Sequence, residues 1–282
     1  MRTTRVVGGA LVGSLALAGL VRTIRRRGTT SRVETLYEHA TAATDRPPAV
    51  AGPDFEALPP PVERYVRSAL AERKRAVDSV VLRQAGQVRT GDADSPWRPF
   101  TATQYVTTDP PGFLWDAAVR FAPLVSVRVR DLYVGGDGSA SVSLAGAIPL
   151  DGAEASPELN EAELMRYLAE AVWYPTALLP RAGVTWSAID DETAAATIEC
   201  GGVSASLTFT FDGDEVRTVH SDGRYRRVDG RYERTPWTGH WRAYEMRNGF
   251  RVPTEGDVVW HLPDGDLHAW HGRLEEVSHD RR

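Results

Sequence analysis

The chain has 282 residues, 42% of them hydrophobic and 25% charged, which is an ordinary globular composition and allows one large domain or two small ones. Residues 1–32 carry seven arginines and no acid, so the net charge of −5 leaves the other 250 residues with about −12. An acidic body argues against general nucleic-acid binding, which needs cations to neutralise phosphates. The single cysteine, Cys200, excludes an internal disulfide framework and a cysteine-rich metal site.

An uncharged, mostly apolar run occupies residues 6–21, and its length is close to the ~20 residues of a membrane-spanning helix. We expect residues 1–32 to form a membrane anchor with a basic flank, which makes the lipid bilayer a partner through residues 6–21. A cleaved signal peptide is the alternative. The arginines at 25–27 follow the run so closely that they favour an uncleaved, single-pass anchor in the cell membrane. Their number leans towards a cytoplasmic body, but the side of the soluble domain is left open.

Residues 33–60 are rich in Pro and Ala, which is typical of a linker with extended segments. A short helix is expected over Ser31 to Thr44. A second helix is predicted from Pro61 to about Arg75, packed on the outside of the sheet or across its open end. Its apolar stripe consists of Val62, Tyr65, Val66, Ala69 and Leu70.

From Ala76 onwards the hydrophobic period changes to two, which predicts strands. The clearest example is residues 203–212, where four apolar side chains alternate with Ser and Thr. Turn sequences separate the strands, and Asp-Gly or Asn-Gly between alternating runs is a strong hairpin signal. These turns are Asp109-Pro110-Pro111-Gly112, Gly135-Gly136-Asp137-Gly138, Gly201-Gly202, Asp212-Gly213, Asp222-Gly223, Asp229-Gly230, Asn248-Gly249 and Asp264-Gly265.

One long helix interrupts the strands and is predicted over residues 158–174. Apolar side chains fill about half of its helical wheel, with Glu163, Arg166 and Glu170 opposite them. Ser156 is the expected N-cap and Pro175 the stop. Trp173 lies on the charged side, where a side chain of that size needs cover.

Roughly five strands precede this helix and six follow it, without a βαβ rhythm, so the sheet should be antiparallel. A large antiparallel sheet curls because its strands twist. We therefore predict a mainly β (α+β) fold for residues 61–282. Its large curved sheet, a half-open barrel of about eleven strands, wraps around one central helix. The N-terminal membrane helix is additional.

Four segments resemble an uncharacterised family of bacterial and archaeal membrane-associated proteins. They are LPPPVERYVRSAL (58–70), RYLAEAVWYPTALLP (166–180), GVTWSAID (183–190) and PWTGHW (236–241). The resemblance covers roughly residues 58–277 and implies no known activity. The order of strands, helix and strands also resembles the half-barrel of periplasmic lipoprotein-carrier and lipid-carrier proteins, in fold alone.

The candidate ligand-binding residues belong to the helix and to tryptophan-rich strands. Arg166 and Glu170 can orient a polar headgroup if their side of the helix faces a cavity, although a solvated ion pair is the simpler interpretation. Aromatic side chains usually form core, but eight tryptophans also suit a small-molecule pocket. Residues 236–241 are the predicted rim, with a bulge at Gly239. The full set is Arg166, Tyr167, Glu170, Trp173, Trp186, Trp237, His240 and Trp241.

Other chemistry lacks a sequence signal, and no catalytic residue, metal or cofactor is predicted. The histidines His220, His240, His261, His268 and His271 have no metal-ligand spacing, and His268 and His271 should point to opposite faces of a strand. There is no GxSxG motif, and Cys200 has no activating neighbour in sequence.

Three functions remain open. The first is binding of a hydrophobic or amphipathic small molecule, with a lipid as one candidate, between the helix and the concave sheet. The second is an enzyme that acts on a membrane-derived substrate with Glu170 and His240 as an acid–base pair. The third is a structural or partner-binding module with a solid core and no small ligand. The sequence leaves the oligomeric state open.

Overall fold

The structure is a computed structural model that describes residues 28–40, 49–71, 75–123 and 125–279. The predicted anchor at residues 6–21 lies outside these ranges. Within them, no helix combines the length and the apolar character needed to cross a bilayer. The membrane tether therefore stays a prediction.

Thirteen strands form one sheet in the described residues, six before the long helix and seven after it. The first group is β1 (Ser79–Val88), β2 (Arg98–Thr108), β3 (Pro111–Ala122), β4 (Val125–Val134), β5 (Asp137–Leu144) and β6 (Ile148–Ala153). The second group is β7 (Val184–Ala188), β8 (Thr193–Cys200), β9 (Val203–Asp212), β10 (Glu215–Val228), β11 (Arg231–Arg247), β12 (Phe250–Leu262) and β13 (Gly265–His279). The predicted count of about eleven was low, because short edge strands such as β6 alternate weakly.

The sheet consists of two antiparallel meanders, β1–β6 and β7–β13, which are joined where β1 pairs with β13. Its order is β6-β5-β4-β3-β2-β1-β13-β12-β11-β10-β9-β8-β7, and every neighbouring pair is antiparallel, as predicted. Seven of the eight predicted turns connect successive strands. The exception is Asp222-Gly223, which lies within β10 at a register shift between Ser221 and Arg224. The predicted bulge at Gly239 is wrong, because β11 stays in regular register with β10 and β12 there.

Four α-helices accompany the sheet in the described residues: α1 (28–40), α2 (Pro53–Glu56), α3 (Pro60–Leu70) and α4 (Pro157–Glu170). Helix α4 corresponds to the predicted central helix and ends four residues earlier than predicted. Ser156 caps it by accepting a hydrogen bond from the Leu159 amide at 3.2 Å. Three short 3₁₀ turns follow at Ala171–Trp173, Pro175–Leu178 and Pro180–Ala182. Pro175 prevents the α-helix from continuing, because proline lacks an amide hydrogen.

The sheet curves around α4, as predicted. The helix contacts β3, β4 and β5 in one meander and β8, β9 and β10 in the other, although five strands separate β3 from β10 in the sheet. The two meanders also touch directly at Gly136 and Gly201. Their backbones lie so close together that a Cβ added to Gly136 would be only 2.8 Å from the Cα of Gly201. An ion pair of 3.1 Å between Arg227 and Asp151 joins β10 to β6.

Helix α3 closes one end of this half-barrel. The predicted apolar stripe is buried, and α3 packs against β8, β9, β12 and the turn Pro175–Leu178. The Tyr65 ring lies 6.0 Å from that of Phe211. At the same end, Arg251 donates to Ser68 over 3.5 Å. The predicted position across an open end is therefore correct.

The residues predicted as a linker pack on the β domain where the structure describes them, which corrects the expected extended segment. Helix α1 lies on the convex face of β3 and β4, where Leu36 is only 1% exposed. Thr29 donates to the buried carboxylate of Asp116 over 2.6 Å, and Arg128 and Arg130 also bind that carboxylate. Helix α1 stays on the sheet because its apolar side is covered and this ion cluster lies beneath its first turn.

We expect Asp116→Asn to lower the free energy of unfolding by about 3 kcal/mol, because removing one partner of a buried ion pair leaves the arginine charges uncompensated. Urea unfolding measures the change. Asp212→Asn is the control, since that side chain is 69% exposed and pairs with Arg217 at the surface; there we expect a loss below about 1 kcal/mol. Equal losses in the two variants would contradict this account.

Candidate functional site

An inner cavity of about 280 Å³ lies between α4 and the concave face of the sheet. Tryptophans supply most of its wall, with valines between them. The apolar lining residues are Val88, Trp115, Val119, Val129, Ala169, Trp173, Trp237, Trp241, Val258 and Trp270. Six polar side chains complete the lining: Gln84, Thr90, Asp131, Arg166, Glu170 and Arg224. The cavity is thus an apolar chamber with a polar side, to which α4 contributes Arg166 and Glu170.

Arg166 and Glu170 belong to a network of hydrogen bonds that holds the polar side together. Arg166 binds Glu170 at 2.8 Å and Asp131 at 2.7 Å. The opposite oxygen of Glu170 accepts a hydrogen bond from Gln104 at 2.6 Å. Gln84 in turn donates to Gln104 at 3.1 Å and accepts from the Trp115 indole at 2.8 Å. Because these groups satisfy one another, the charged pair is stable inside the half-barrel.

Electrostatics keep Arg166 charged in this site. Burial disfavours the cation, but the carboxylates of Glu170 and Asp131 outweigh burial and raise the pKa of Arg166 above its usual value. The guanidinium also lies over the Trp115 ring, 5.0 Å from its centroid. The ion pair expected on the helix is therefore buried and faces the cavity rather than bulk water.

Two tryptophans of the wall have unused donors. Trp237 and Trp241 are 3% and 5% exposed, and neither indole Nε1 has a hydrogen-bond partner among the described residues. By contrast, Trp173 donates to the Pro253 carbonyl at 3.0 Å. A buried donor without a partner costs about 1–3 kcal/mol, so most proteins avoid it. Both indole nitrogens are enclosed within the β11 wall and are not exposed to the cavity.

Glycines make room for the tryptophan rings on the sheet. Gly86, Gly272 and Gly256 lie side by side on β1, β13 and β12. A Cβ on Gly256 would be 2.7 Å from the Trp241 ring, and one on Gly272 would be 2.2 Å from the Trp270 ring. The rings therefore lie flat on bare backbone, which keeps the chamber open.

A second opening, the outer cleft, lies beside the inner cavity between the two meanders. Its volume is about 630 Å³, and α4, β5, β6, β10 and β11 line it. Arg224 lines both spaces. Its guanidinium carbon lies 5.1 Å from the ring centroid of Trp237 and 5.4 Å from that of Trp260. Arg224 therefore stands at the junction of cleft and cavity.

Glu163 of α4 lines the outer cleft and is 7% exposed. Burial and the nearby Asp131 carboxylate raise the pKa of Glu163 to about 7, although Arg166 and Arg224 oppose the shift. One carboxylate oxygen is buried without a hydrogen-bond partner in the described part of the chain. Around neutral pH this side chain therefore exchanges a proton.

Five of the eight predicted site residues line the inner cavity: Arg166, Glu170, Trp173, Trp237 and Trp241. Their role in binding stays a prediction. Tyr167 packs in the core, with its ring 5.4 Å from that of Tyr174. Trp186 also lies outside the cavity; it donates to the Leu178 carbonyl at 2.8 Å and packs on Phe209.

The expectation that His240 faces the concavity is wrong. It alternates with Trp237, Gly239 and Trp241 along β11, so it lies on the convex face opposite Asp257. Burial there lowers its pKa. Because Glu170 lies inside and His240 outside, the two cannot act on one substrate, and the proposed acid–base pair is not assembled.

His220, His261, His268 and His271 join His240 on the convex face, whereas His279 lies inside and binds the Trp173 carbonyl at 3.1 Å. The register between β12 and β13 shifts beside Val258, where β13 contains one extra residue. This shift brings His268 to the same face as His271, so the predicted opposite orientation is wrong. His271 binds Asp257, and His261 binds Thr238 at 2.8 Å. In the described ranges, no group of three or more His, Cys, Asp or Glu side chains could hold a metal ion.

Sequence reasoning missed several residues of the site: Gln84, Gln104, Trp115, Asp131, Arg224 and Trp270. Two of these residues could have been recognised from the pattern of apolar residues in the sequence. Gln84 and Asp131 each interrupt an apolar alternation, at positions where Val80, Leu82 and Val129 predict an inward-facing side chain. Arg224 was concealed because Asp222-Gly223 has the sequence of a turn.

The family described as a family of unknown function, DUF6920, matches residues 56–279. The chain belongs to this family. The resemblance to an uncharacterised family is thereby confirmed, and membership brings no activity with it.

Solved structures similar to this chain include members of two named groups. A LolA superfamily protein from Nitrosomonas europaea shares 15% identity at a TM-score of 0.33, over 79% of this chain and 93% of that one. A beta-barrel-like protein of the domain of unknown function DUF1849 from Brucella abortus shares 9% identity at a TM-score of 0.23, over 73% of this chain and 99% of that one. No curated protein matches the chain. The function therefore has to be argued from the site itself.

We expect Gly256→Ala to displace the Trp241 ring, because the new methyl group would overlap it. Overpacking of this kind costs about 1–3 kcal/mol of stability, and near-UV circular dichroism reports the changed tryptophan environment. Gly52→Ala is the control, since nothing lies within 4 Å of its added Cβ. An unchanged spectrum for Gly256→Ala would contradict the close packing.

The raised pKa of Glu163 predicts a pH-dependent contribution to stability. The folded state holds this proton more tightly than the unfolded state, so the stabilisation is complete below pH 4.5 and is lost as pH rises to about 7. The groups that act on Glu163 are Arg166, Glu170, Asp131, Arg224 and Tyr232.

We expect the Glu163→Gln substitution to stabilise the protein more at pH 8 than at pH 5, with a difference of about 2 kcal/mol in the free energy of unfolding. The size follows from the shifted pKa of Glu163, since each pKa unit corresponds to about 1.4 kcal/mol. Urea unfolding at both pH values measures the difference. Glu161→Gln on the same helix, where Arg234 binds the carboxylate at 3.1 Å, is the control. A Glu163→Gln effect that is independent of pH would refute the raised pKa.

Proposed function

We propose that this protein binds a hydrophobic or amphipathic small molecule in the inner cavity between α4 and the concave sheet. The observation that carries the proposal is the chamber itself, in which tryptophan and valine side chains lie beside the polar groups of Arg166 and Glu170. The apolar part of a ligand would cover these tryptophan and valine side chains, and its polar end would lie beside the polar groups.

The size of the chamber limits the ligand. Small-molecule pockets commonly measure roughly 300–1,000 Å³, so about 280 Å³ is near the lower limit. A single alkyl chain or a small ring system suits this volume, whereas a lipid with two full chains exceeds it. Each Å² of apolar surface that the ligand removes from water contributes ~25 cal/mol.

The satisfied network beside the chamber supports the same function. Arg166, Glu170 and Asp131 bind one another, so they provide a fixed polar wall rather than a reactive group. The interior beside α4 is hollow, which disfavours a purely structural module with a solid core. In this proposal residues 6–21 would hold the binding domain at a bilayer, where amphipathic molecules are abundant.

We expect decanol to bind the wild-type protein and Ala169→Phe to weaken that binding at least tenfold. Ala169 of α4 is 1% exposed and lines the cavity, so a phenyl ring there occupies the space of the ligand. A tenfold loss corresponds to about 1.4 kcal/mol of the binding free energy. Tryptophan fluorescence titration measures the affinity, and native mass spectrometry counts the bound molecules.

Ala188→Phe, on the exposed part of the edge strand β7, is the matched control and should bind like the wild type. Circular dichroism of both variants shows whether they fold. The proposal fails if wild-type protein binds no decanol, or if folded Ala169→Phe binds it as tightly as the control.

A further inference from the structure

Arg224 differs from Arg166 in having no carboxylate within salt-bridge distance among the described residues, although Glu163, Glu170 and Asp131 attract its charge at longer range. Its Nε donates to the Ala162 carbonyl at 3.3 Å. The described residues place no ion pair and no other hydrogen bond on its guanidinium, whereas Arg166 has two carboxylate partners. Four of the five guanidinium N–H donors of Arg224 are therefore unused.

The position of this side chain follows from a local irregularity of the sheet. The register of β10 against β11 shifts between Ser221 and Arg224. Such a shift re-aims the side chains that follow it. Arg224 consequently points towards α4, and its guanidinium lies between the rings of Trp237 and Trp260. These rings belong to the cavity and to the cleft, respectively.

We propose that Arg224 binds the anionic group of an amphipathic ligand whose apolar part occupies the inner cavity. This assignment rests on the proposed function and specifies its ligand class: a carboxylate or a phosphate ester carried on a single apolar chain. A guanidinium with free N–H groups on one edge can bind either anion in a bidentate manner.

Two features of the surroundings favour an anion over a neutral or cationic group. The rings of Trp237 and Trp260 hold the guanidinium in place. Arg226, two residues further along the same strand, also lines the cleft and adds a second positive charge there.

The volumes of the cleft and the cavity suit a ligand whose headgroup lies in the cleft and whose apolar chain lies in the cavity. The cleft, at about 630 Å³, has room for a solvated headgroup beside Arg224, and the cavity, at about 280 Å³, has room for a chain beyond it. Both spaces meet at Arg224, so a ligand can place its anion there while its chain passes along Trp237.

Four ligands of one chain length separate the alternatives: decanoate, decyl phosphate, decanol and decylammonium. For the wild-type protein at constant ionic strength, we expect both anions to bind at least about tenfold more tightly than decanol, and decylammonium to bind most weakly. The ratio of decanoate to decyl phosphate affinity then identifies which anion the site prefers. Isothermal titration calorimetry measures all four.

We expect Arg224→Gln to abolish the preference for anions, measured as the ratio of the anion affinity to the decanol affinity of the same variant. Arg224→Lys, which keeps the charge without the planar fork, should retain part of the preference. Arg217→Gln is the control, because Arg217 lies on the same strand, is 44% exposed and pairs with Asp212. It should match the wild type for every ligand.

The outcomes distinguish this inference from the proposed function. If decanol and the anions bind wild type equally well, the cavity binds ligands but Arg224 does not select anions, and the inference fails alone. If a preference for anions persists in folded Arg224→Gln, the anion is held elsewhere and the inference again fails. If none of the four ligands binds wild type, both proposals fail. The comparison of ligands on the wild-type protein needs no variant, so misfolding of Arg224→Gln would not leave the question open.

Discussion

The ion pair between Arg166 and Glu170, enclosed by the sheet, is the constraint on which the rest of the interior depends. Charges taken out of water are tolerated only where other polar groups surround them. Asp131 on β4 and Gln104 on β2 supply these groups, and Gln84 on β1 supports Gln104. The helix and three strands of the first meander are thereby held in one register. Because the polar wall is occupied by fixed partners, apolar side chains cannot pack tightly over it, and space remains between this wall and the tryptophans opposite.

The topology explains why a helix with charges on one side lies inside the sheet at all. The strands β6 and β7 form the two edges of the sheet, and the chain between them contains α4 and the 3₁₀ turns. This connection has to pass from one edge to the other, so it crosses the opening of the half-barrel. Its apolar side meets the core around Leu164 and Leu168. Strands of both meanders contact the helix, so its polar side faces the inner cavity and the outer cleft.

Much of this architecture could be predicted from alternation, turn pairs and one long amphipathic helix. Those signals are local, and they act on each hairpin separately. Residue types alone do not show the side on which His240 lies, because tryptophan and histidine are both compatible with either face of a strand. Its period against Trp237 and Trp241 does place it on the opposite face, and that argument was available. Arg224 was harder, since the Asp222-Gly223 pair before it is equally compatible with a turn and with the irregularity found within β10. Interruptions of apolar alternation, such as Asp131 after Val129, were the most informative signals that went unused.

The two sides of the half-barrel differ in how they are held, and this difference bears on how a ligand would enter. Between β1 and β13 the closure is a backbone ladder, which cannot widen without breaking several hydrogen bonds. Between the edge regions the described contacts are side chains and glycine surfaces, including Arg227 with Asp151 and Gly136 with Gly201. Exposed ion pairs of this kind contribute only about 0–1 kcal/mol, so this side is held less tightly than the ladder between β1 and β13. The outer cleft lies on this weaker side, and Arg224 lies at the inner end of the cleft. A ligand that enters on this side therefore passes Arg224, which has no carboxylate within salt-bridge distance among the described residues.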